Sequence, residues 1–283
     1  MIMGEEEETF WDKLARLDRR VVYWAIFLAL IIPHFTVLGL PVVVQPYAKA
    51  AYETTEALPE GSLVLYWVEG SAGMWPDVLP ACEAVMYHIY KKHLKFVVIA
   101  GGYSVDFQIT MKKVWDAVGY PEEWGYEYGK DWAYFGFFPG AEAGFAMFAR
   151  DIRSVYKTDV YGNPIDSLEI MKNVNSAADF DLGWVFVYGS GWEWMQKHWT
   201  IAFGTPNCYA TVGAITPEKA SYYWAGTNAG CLGGVRDTAA YERFVGRLAW
   251  ATKKTDTLNI GHLLGVFWVI LGNIAYFARG RRR

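Results

Sequence analysis

Two long apolar runs bracket this chain, and between them short apolar stretches alternate with segments of helical period. Val21–Val44 reads VVYWAIFLALIIPHFTVLGLPVVV, 24 residues without a formal charge. At about 1.5 Å per residue, a helix of that length covers a hydrocarbon core of about 30 Å with some tilt. Pro33 and Pro41 would kink it, which a spanning helix tolerates when its neighbours satisfy the freed carbonyls. The run exceeds the 7–15 residues typical of a signal-peptide core, so it reads as a retained anchor. Leu258–Ala278, 21 uncharged residues, reads as a second transmembrane helix. Trp24, Tyr23 and Tyr276 fall near the expected interfaces. Ahead of the first run, Phe10, Trp11, Leu14, Leu17 and Val21 recur at helical spacing among Lys13, Arg16, Arg19 and Arg20. That spacing fits an amphipathic leader over residues 1–20, or an extension of the first span.

The interior, residues 45–257, predicts an α/β domain. Ser62–Val68, Phe96–Ala100, Trp132–Phe138 and Leu182–Tyr188 are apolar runs of strand length, and each ends at Gly or Pro. Thr200–Phe203 or Cys208–Ile215 supplies a fifth strand. Helical segments lie between them: Pro80 to about His93, Ser104 (as a cap) to Val118, Pro139-Gly140 towards Arg150, and a turn through Trp199. A long helix is expected from about Asn228 to Trp250. Uninterrupted apolar strands are expected where helices cover both faces of a parallel sheet. The fold class is therefore α/β, a Rossmann-like doubly wound, mainly parallel sheet of about five strands, flanked by two transmembrane helices.

Charge sharpens the topology. Eight Lys and Arg lie beside the outer ends of the two runs, including Arg279, Arg281, Arg282 and Arg283 in the tail at 279–283. Lys49, Arg243, Arg247, Lys253 and Lys254 make five near the inner ends. This bias puts both termini in the cytoplasm and the central domain outside it. The net charge of −4 divides into −2 before the first run, −6 between the runs and +4 after the second. An acidic domain without a basic block argues against nucleic acid as a partner. With 53% hydrophobic residues the chain is not a disordered one.

In a doubly wound sheet, ligands favour the crevice beyond the carboxyl ends of the strands. The residues expected there are Glu69, Ser71, Glu142, Ser190 and Asn207, each in a strand-end loop that carries a glycine, which allows tight turns and close backbone approach. Glu69, Glu142 and Glu193 could act as paired carboxylates or simply as helix-start acids that complement the helix dipole. Gly70-Ser71-Ala72-Gly73 and Gly189-Ser190-Gly191 both lack G-x-G-x-x-G spacing. A phosphate loop, a G-x-S-x-G elbow, C-x-x-C and H-E-x-x-H are all missing from the sequence. No cofactor, metal or catalytic residue is assigned. His34 and His262, within the runs, read as helix-to-helix hydrogen-bonding groups. Cys208 and Cys231 are the pair best placed for a disulfide in an extracytoplasmic domain, with Cys82 a small buried hydrophobe.

Small residues suggest assembly. Gly233 and Gly234 open the long helix after Cys231, and Gly261 and Gly265 form a small-x-x-x-small pair in the second run. The expected partners are the lipid bilayer, further copies of the chain and other membrane protein subunits. The function read from these features is a membrane-anchored, homo-oligomeric scaffold or interaction protein rather than an enzyme. The alternative is an enzyme or small-molecule-binding protein that uses the glycine-lined crevice.

Overall fold

A computed structural model describes residues 10, 14, 16–69, 71–101 and 106–280, with side chains as far as residue 278. Most of the leader expected at 1–20, and Gly70 and Ser104, lie outside the described residues. The chain divides into two compact units, residues 42–251 and residues 1–41 with 252–283.

The larger unit is built on six strands: β1 Leu63–Val68, β2 Lys95–Ala100, β3 Trp132–Phe137, β4 Leu182–Phe186, β5 Asn207–Thr211 and β6 Gly230–Gly233. All pair in parallel, in the order β3-β2-β1-β4-β5-β6. Four strands stand where the apolar runs predict them. The fifth is the later of the two alternatives, since Ile201–Phe203 is helical. The sixth was not expected, because its sequence Gly-Cys-Leu-Gly looks like the small-residue start of a helix.

The principal helices of this unit are α2 Pro46–Glu56, α3 Trp75–Lys91, α4 Phe107–Val118, α5 Ala141–Arg150, α6 Gly191–Met195, α7 Thr216–Trp224 and α8 Gly234–Val245. The sheet is buried on both faces. Val64, Tyr66 and Val68 of β1 join one core with residues of α2, α3, α4 and α8. Leu63, Leu65 and Trp67 join the other with Phe145 and Phe148 of α5 and Trp192 and Trp194 of α6. This two-sided burial explains why the strands read as unbroken apolar runs.

The long helix expected from Asn228 to Trp250 is interrupted. Gly246, at φ +81°, ends α8, and a new helix begins at Trp250. Glu242, itself buried, caps that start by accepting from the Ala249 and Ala251 N–H groups.

The smaller unit contains α1 Arg19–Phe35 and most of α9 Trp250–Gly280. Among the described residues one helix is long and apolar enough to cross a membrane, Trp250–Ala278, with a mean hydropathy of 1.7. It contains the expected Leu258–Ala278 run. The first expected span is corrected: α1 has 17 residues, about 25 Å, and ends at Phe35 rather than Val44. Pro33 removes a helical N–H, Thr36 is extended, Gly39 takes φ +66°, and Pro41 disfavours helix in the residue before it. The extended segment is held by Asp256, whose carboxylate accepts from the N–H groups of Leu38, Gly39 and Leu40 at 3.0, 2.9 and 2.8 Å. A Cβ on Gly261 would stand 3.2 Å from Leu30, so α1 and α9 pack closely there.

Candidate functional site

Strand order reverses between β1 and β4, because β2 and β3 lie on one side of β1 and β4, β5 and β6 on the other. The carboxyl ends of β1 and β4 therefore flank the crevice that such sheets use for ligands. Glu69 sits there, directly after β1. Its backbone N–H still bonds the Phe186 carbonyl of β4 at 2.9 Å, which fixes its position between the two strands. The residue is only 6% exposed. The Gly189 N–H donates to its carboxyl group, and Oε1 has no hydrogen-bond partner. Burial raises its pKa from 4.5 to about 8, opposed only by the Gly189 N–H. Burial thus favours the neutral acid form of Glu69, the kind of environment that shifts carboxyl groups at functional sites.

Gly191, at the start of α6, makes room for it. A Cβ there would stand 2.3 Å from Glu69 Oε1 and 3.0 Å from Trp67 Cζ2. The six-membered ring of Trp67 thus packs beside the same glycine, and Trp67 Nε1, like Glu69 Oε1, is buried without a hydrogen-bond partner. Aromatic rings hold Trp67 in place: Phe145 stacks on it at 4.4 Å, Phe138 meets it edge-on at 5.4 Å, and Trp194 lies at 6.1 Å. At the rim, Tyr188 and Ser190 are exposed.

The other residues expected in the crevice take different places. Ser71 is half-buried two residues beyond Glu69, and its carbonyl accepts from the Met74 N–H. The carbonyl of Ser190 starts α6 by accepting from the Glu193 N–H at 2.9 Å. Glu142, in the first turn of α5, is taken up by Lys197 Nζ at 2.7 Å and His198 Nε2 at 2.9 Å, and these contacts lower its pKa. Asn207 begins β5 and so lies at the opposite, amino-terminal edge of the sheet. There its amide donates to Thr200 Oγ1, and its backbone carbonyl accepts from the Ala229 N–H and from Asn228 Nδ2. Its role is to hold the β5 and β6 starts together.

The expected disulfide is not formed: all three cysteines are free and buried. Cys208 is level with Gly230 and Tyr209 with Cys231, so the two thiols are one residue out of register on opposite faces of the sheet. Gly233 and Gly234 are packed within the chain, against Thr216 and the Gly213 backbone. Gly265 has open space beside it.

The carboxyl edge carries further buried polar groups that sequence reading missed. Asp237, in the first turn of α8, accepts from the Gly233 N–H at 2.9 Å and from the Tyr47 hydroxyl. Burial raises its pKa to about 6, while burial and the Asp237 charge raise Tyr47 to about 12. Lys219 of α7, 4% exposed, places Nζ 3.3 Å from the centre of the Trp192 ring and 2.9 Å from Glu218 Oε1. Thr211, at the end of β5, has a buried hydroxyl without a partner. The signal available for Asp237 was its place one turn beyond the Gly233-Gly234 pair. Among the described residues no group of three or more His, Cys, Asp or Glu is arranged to hold a metal ion. No known protein family, no curated protein sequence and no solved structure matches this chain.

Proposed function

We propose that this chain is a membrane-held, doubly wound, Rossmann-like α/β protein that binds a small molecule at the carboxyl edge of its sheet, with Glu69 at the centre of the site. The observation that carries this reading is the unpartnered Glu69 oxygen, buried where the strand order reverses. A buried polar atom left without a partner costs about 1–3 kcal/mol, and a ligand that satisfies it recovers that cost on binding. In this reading α9 holds the domain at the bilayer, and the charge bias of the flanks favours a domain outside the cytoplasm.

Thermal-shift screening of the full chain in detergent against a library of small metabolites tests the site, with Glu69→Leu as the control. The expected result is a set of compounds that stabilise the parent and leave the variant unmoved. If no compound distinguishes the two proteins, the reading fails.

A second reading, self-association through α9, is supported by the open space beside Gly265 and Gly272, one heptad apart on that helix. Full-length protein that remains monomeric in detergent at micromolar concentration overturns it.

A further inference from the structure

The geometry points to a second binding site, at the opposite edge of the sheet, that takes a small organic cation of the guanidinium or alkylammonium class. It is independent of the site proposed above, since its residues lie at the amino-terminal ends of β1, β2 and β3.

A cavity of about 220 Å³ opens there, and its lining includes Glu60, His93, Lys95, Trp124, Tyr126 and Asp131. At about 30 Å³ per water molecule, that is room for about seven waters or a ligand of similar bulk. The walls are fixed before a ligand arrives. Glu60 lies in the turn before β1 and His93 in the turn between α3 and β2. The Gly61 N–H ties these turns together by donating to the His93 carbonyl at 3.1 Å. His93 takes a left-handed backbone, φ +50°, which is uncommon for a residue with a side chain and concentrates at functional sites. Trp124 Nε1 donates to the Val118 carbonyl at 2.9 Å, and the Tyr126 hydroxyl donates to that of Ile89 at 3.1 Å. Tyr90 packs against both rings, with centroids 5.4 Å away in each case.

The charges of the lining select the ligand. Lys95, which opens β2, is already held: Nζ donates to the Lys130 carbonyl at 3.1 Å and stands 3.7 Å from Asp131 Oδ1. Asp131 Oδ2 accepts from the Glu127 N–H at 3.0 Å. Glu60 is exposed and makes no ion pair or side-chain hydrogen bond among the described residues. Two carboxylates thus share the cavity with one ammonium that is already engaged, and the unbalanced charge is negative. Both carboxylates act on the same wall: burial raises the Tyr126 pKa, and the charges of Asp131 and Glu60 raise it further. An anion would be repelled, and an apolar ligand would strip water from charged groups without replacing it. A bare metal ion is not served either, because no group of three or more His, Cys, Asp or Glu among the described residues is arranged to hold one. An organic cation suits both kinds of wall. Its N–H groups donate to carboxylate oxygens, and its weakly hydrated body is attracted to the Trp124 and Tyr126 rings.

The test uses the full chain in detergent with ¹⁵N-labelled tryptophan, titrated with ethylguanidinium, with its neutral isostere ethylurea and with propionate. The Trp124 indole signal is assigned by its loss in Trp124→Phe. The expected result is a saturable shift of that signal with ethylguanidinium, half-complete on the order of 1–10 mM, and none with the other two probes. Glu60→Gln, at an exposed position, should weaken binding about threefold, the scale of one exposed ion pair. Lys95→Met removes a competing cation and should tighten binding by a similar factor, a change of opposite sign that a purely structural role would not produce. An equal response to ethylurea, a response to propionate, or no response of Trp124 to any probe overturns the inference. So does a shift of every indole signal that never saturates.

Discussion

Glu69 Oε1 lies 2.3 Å from where a Cβ on Gly191 would stand, so the residue directly after β1 and the residue opening α6 share one space. The two are 122 positions apart in the chain and meet because β1 and β4 are neighbours in the sheet. The close approach joins a feature of the fold to a feature of the proposed site: the glycine is required by the acid.

Gly191→Ala is therefore expected to destabilise the protein by about 1–3 kcal/mol, the usual cost of overpacking a buried contact. The same change in a Glu69→Ala background should cost less, because the obstructing carboxyl is gone. A double-mutant cycle on melting temperature measures the difference. Equal costs in both backgrounds would show that Glu69 is not what occupies the space.

Gly230 makes a harder demand. A Cβ there would stand 2.3 Å from the Ala51 backbone nitrogen and 2.4 Å from its Cα, and backbone cannot swing aside as a side chain does. Gly230→Ala should cost about 3 kcal/mol or more by forcing α2 away from β6. Gly265→Ala, with open space beside it, should change stability by no more than about 0.5 kcal/mol. Chemical denaturation of the two variants in parallel provides the comparison, and similar losses in both would contradict the packing described.

Those glycines also mark where the sequence could be read and where it could not. Four strands announce themselves as apolar runs closed by Gly or Pro, because their burial on both faces leaves no polar alternation. β6 does not: Gly230 and Gly233 are small because Ala51 and Thr216 press on them, a tertiary demand invisible in a four-residue window. Asn207 was placed at the crevice because Thr200–Phe203 could pass for a strand. Those residues are helical, which moves Asn207 to the start of β5 and to the far edge of the sheet. Glu69 was legible as a strand-end acid, but its free oxygen depends on Gly189 and Gly191, brought in by β4. The end of α1 was legible in Pro33, Gly39 and Pro41, yet the uncharged run outweighed them.

Asp256 accounts for the rest of that ending. Its carboxylate accepts three consecutive N–H groups, Leu38 to Leu40, and the residue is fully buried. Hydrogen bonds to a charged group contribute about 1.5–3 kcal/mol each, and a buried donor left unpaired adds its own cost. Asp256→Ala should free residues 36–41, seen as rapid proteolytic cleavage of that segment under native conditions. Asp256→Asn, which keeps an acceptor oxygen, should be cleaved at an intermediate rate. An Asp256→Ala protein as resistant as the parent would rule out this role for the carboxylate.

The three thiols give a chemical check on the sheet. Cys82, Cys208 and Cys231 are buried, and burial pushes each thiol well above its ordinary pKa, so little thiolate forms. Iodoacetamide at pH 8 should leave the folded chain unmodified and add three carbamidomethyl groups after unfolding without a reductant. Addition of a single group after unfolding would mean that two cysteines are bridged.

The acid at the centre of the site makes stability depend on pH in a definite direction. The Glu69 pKa rises from 4.5 to about 8 on folding, so between those values the folded chain holds a proton that the unfolded chain has released. Stability must then fall as pH rises through that window, and level off once the folded carboxyl has also ionised. At about 1.4 kcal/mol per pKa unit the total loss is bounded near 5 kcal/mol, less whatever water reaches the carboxylate. Asp237, raised from 3.8 to about 6, contributes with the same sign over a lower window. Glu69→Gln is neutral at every pH and keeps the shape, so subtracting its melting temperature from that of the parent cancels the other titrating groups. The difference should be small at pH 4.5 and grow steadily in favour of the variant up to about pH 8–9. Melting curves that stay parallel from pH 5 to 9 would mean that Glu69 ionises freely in the folded chain and is not held there as the acid.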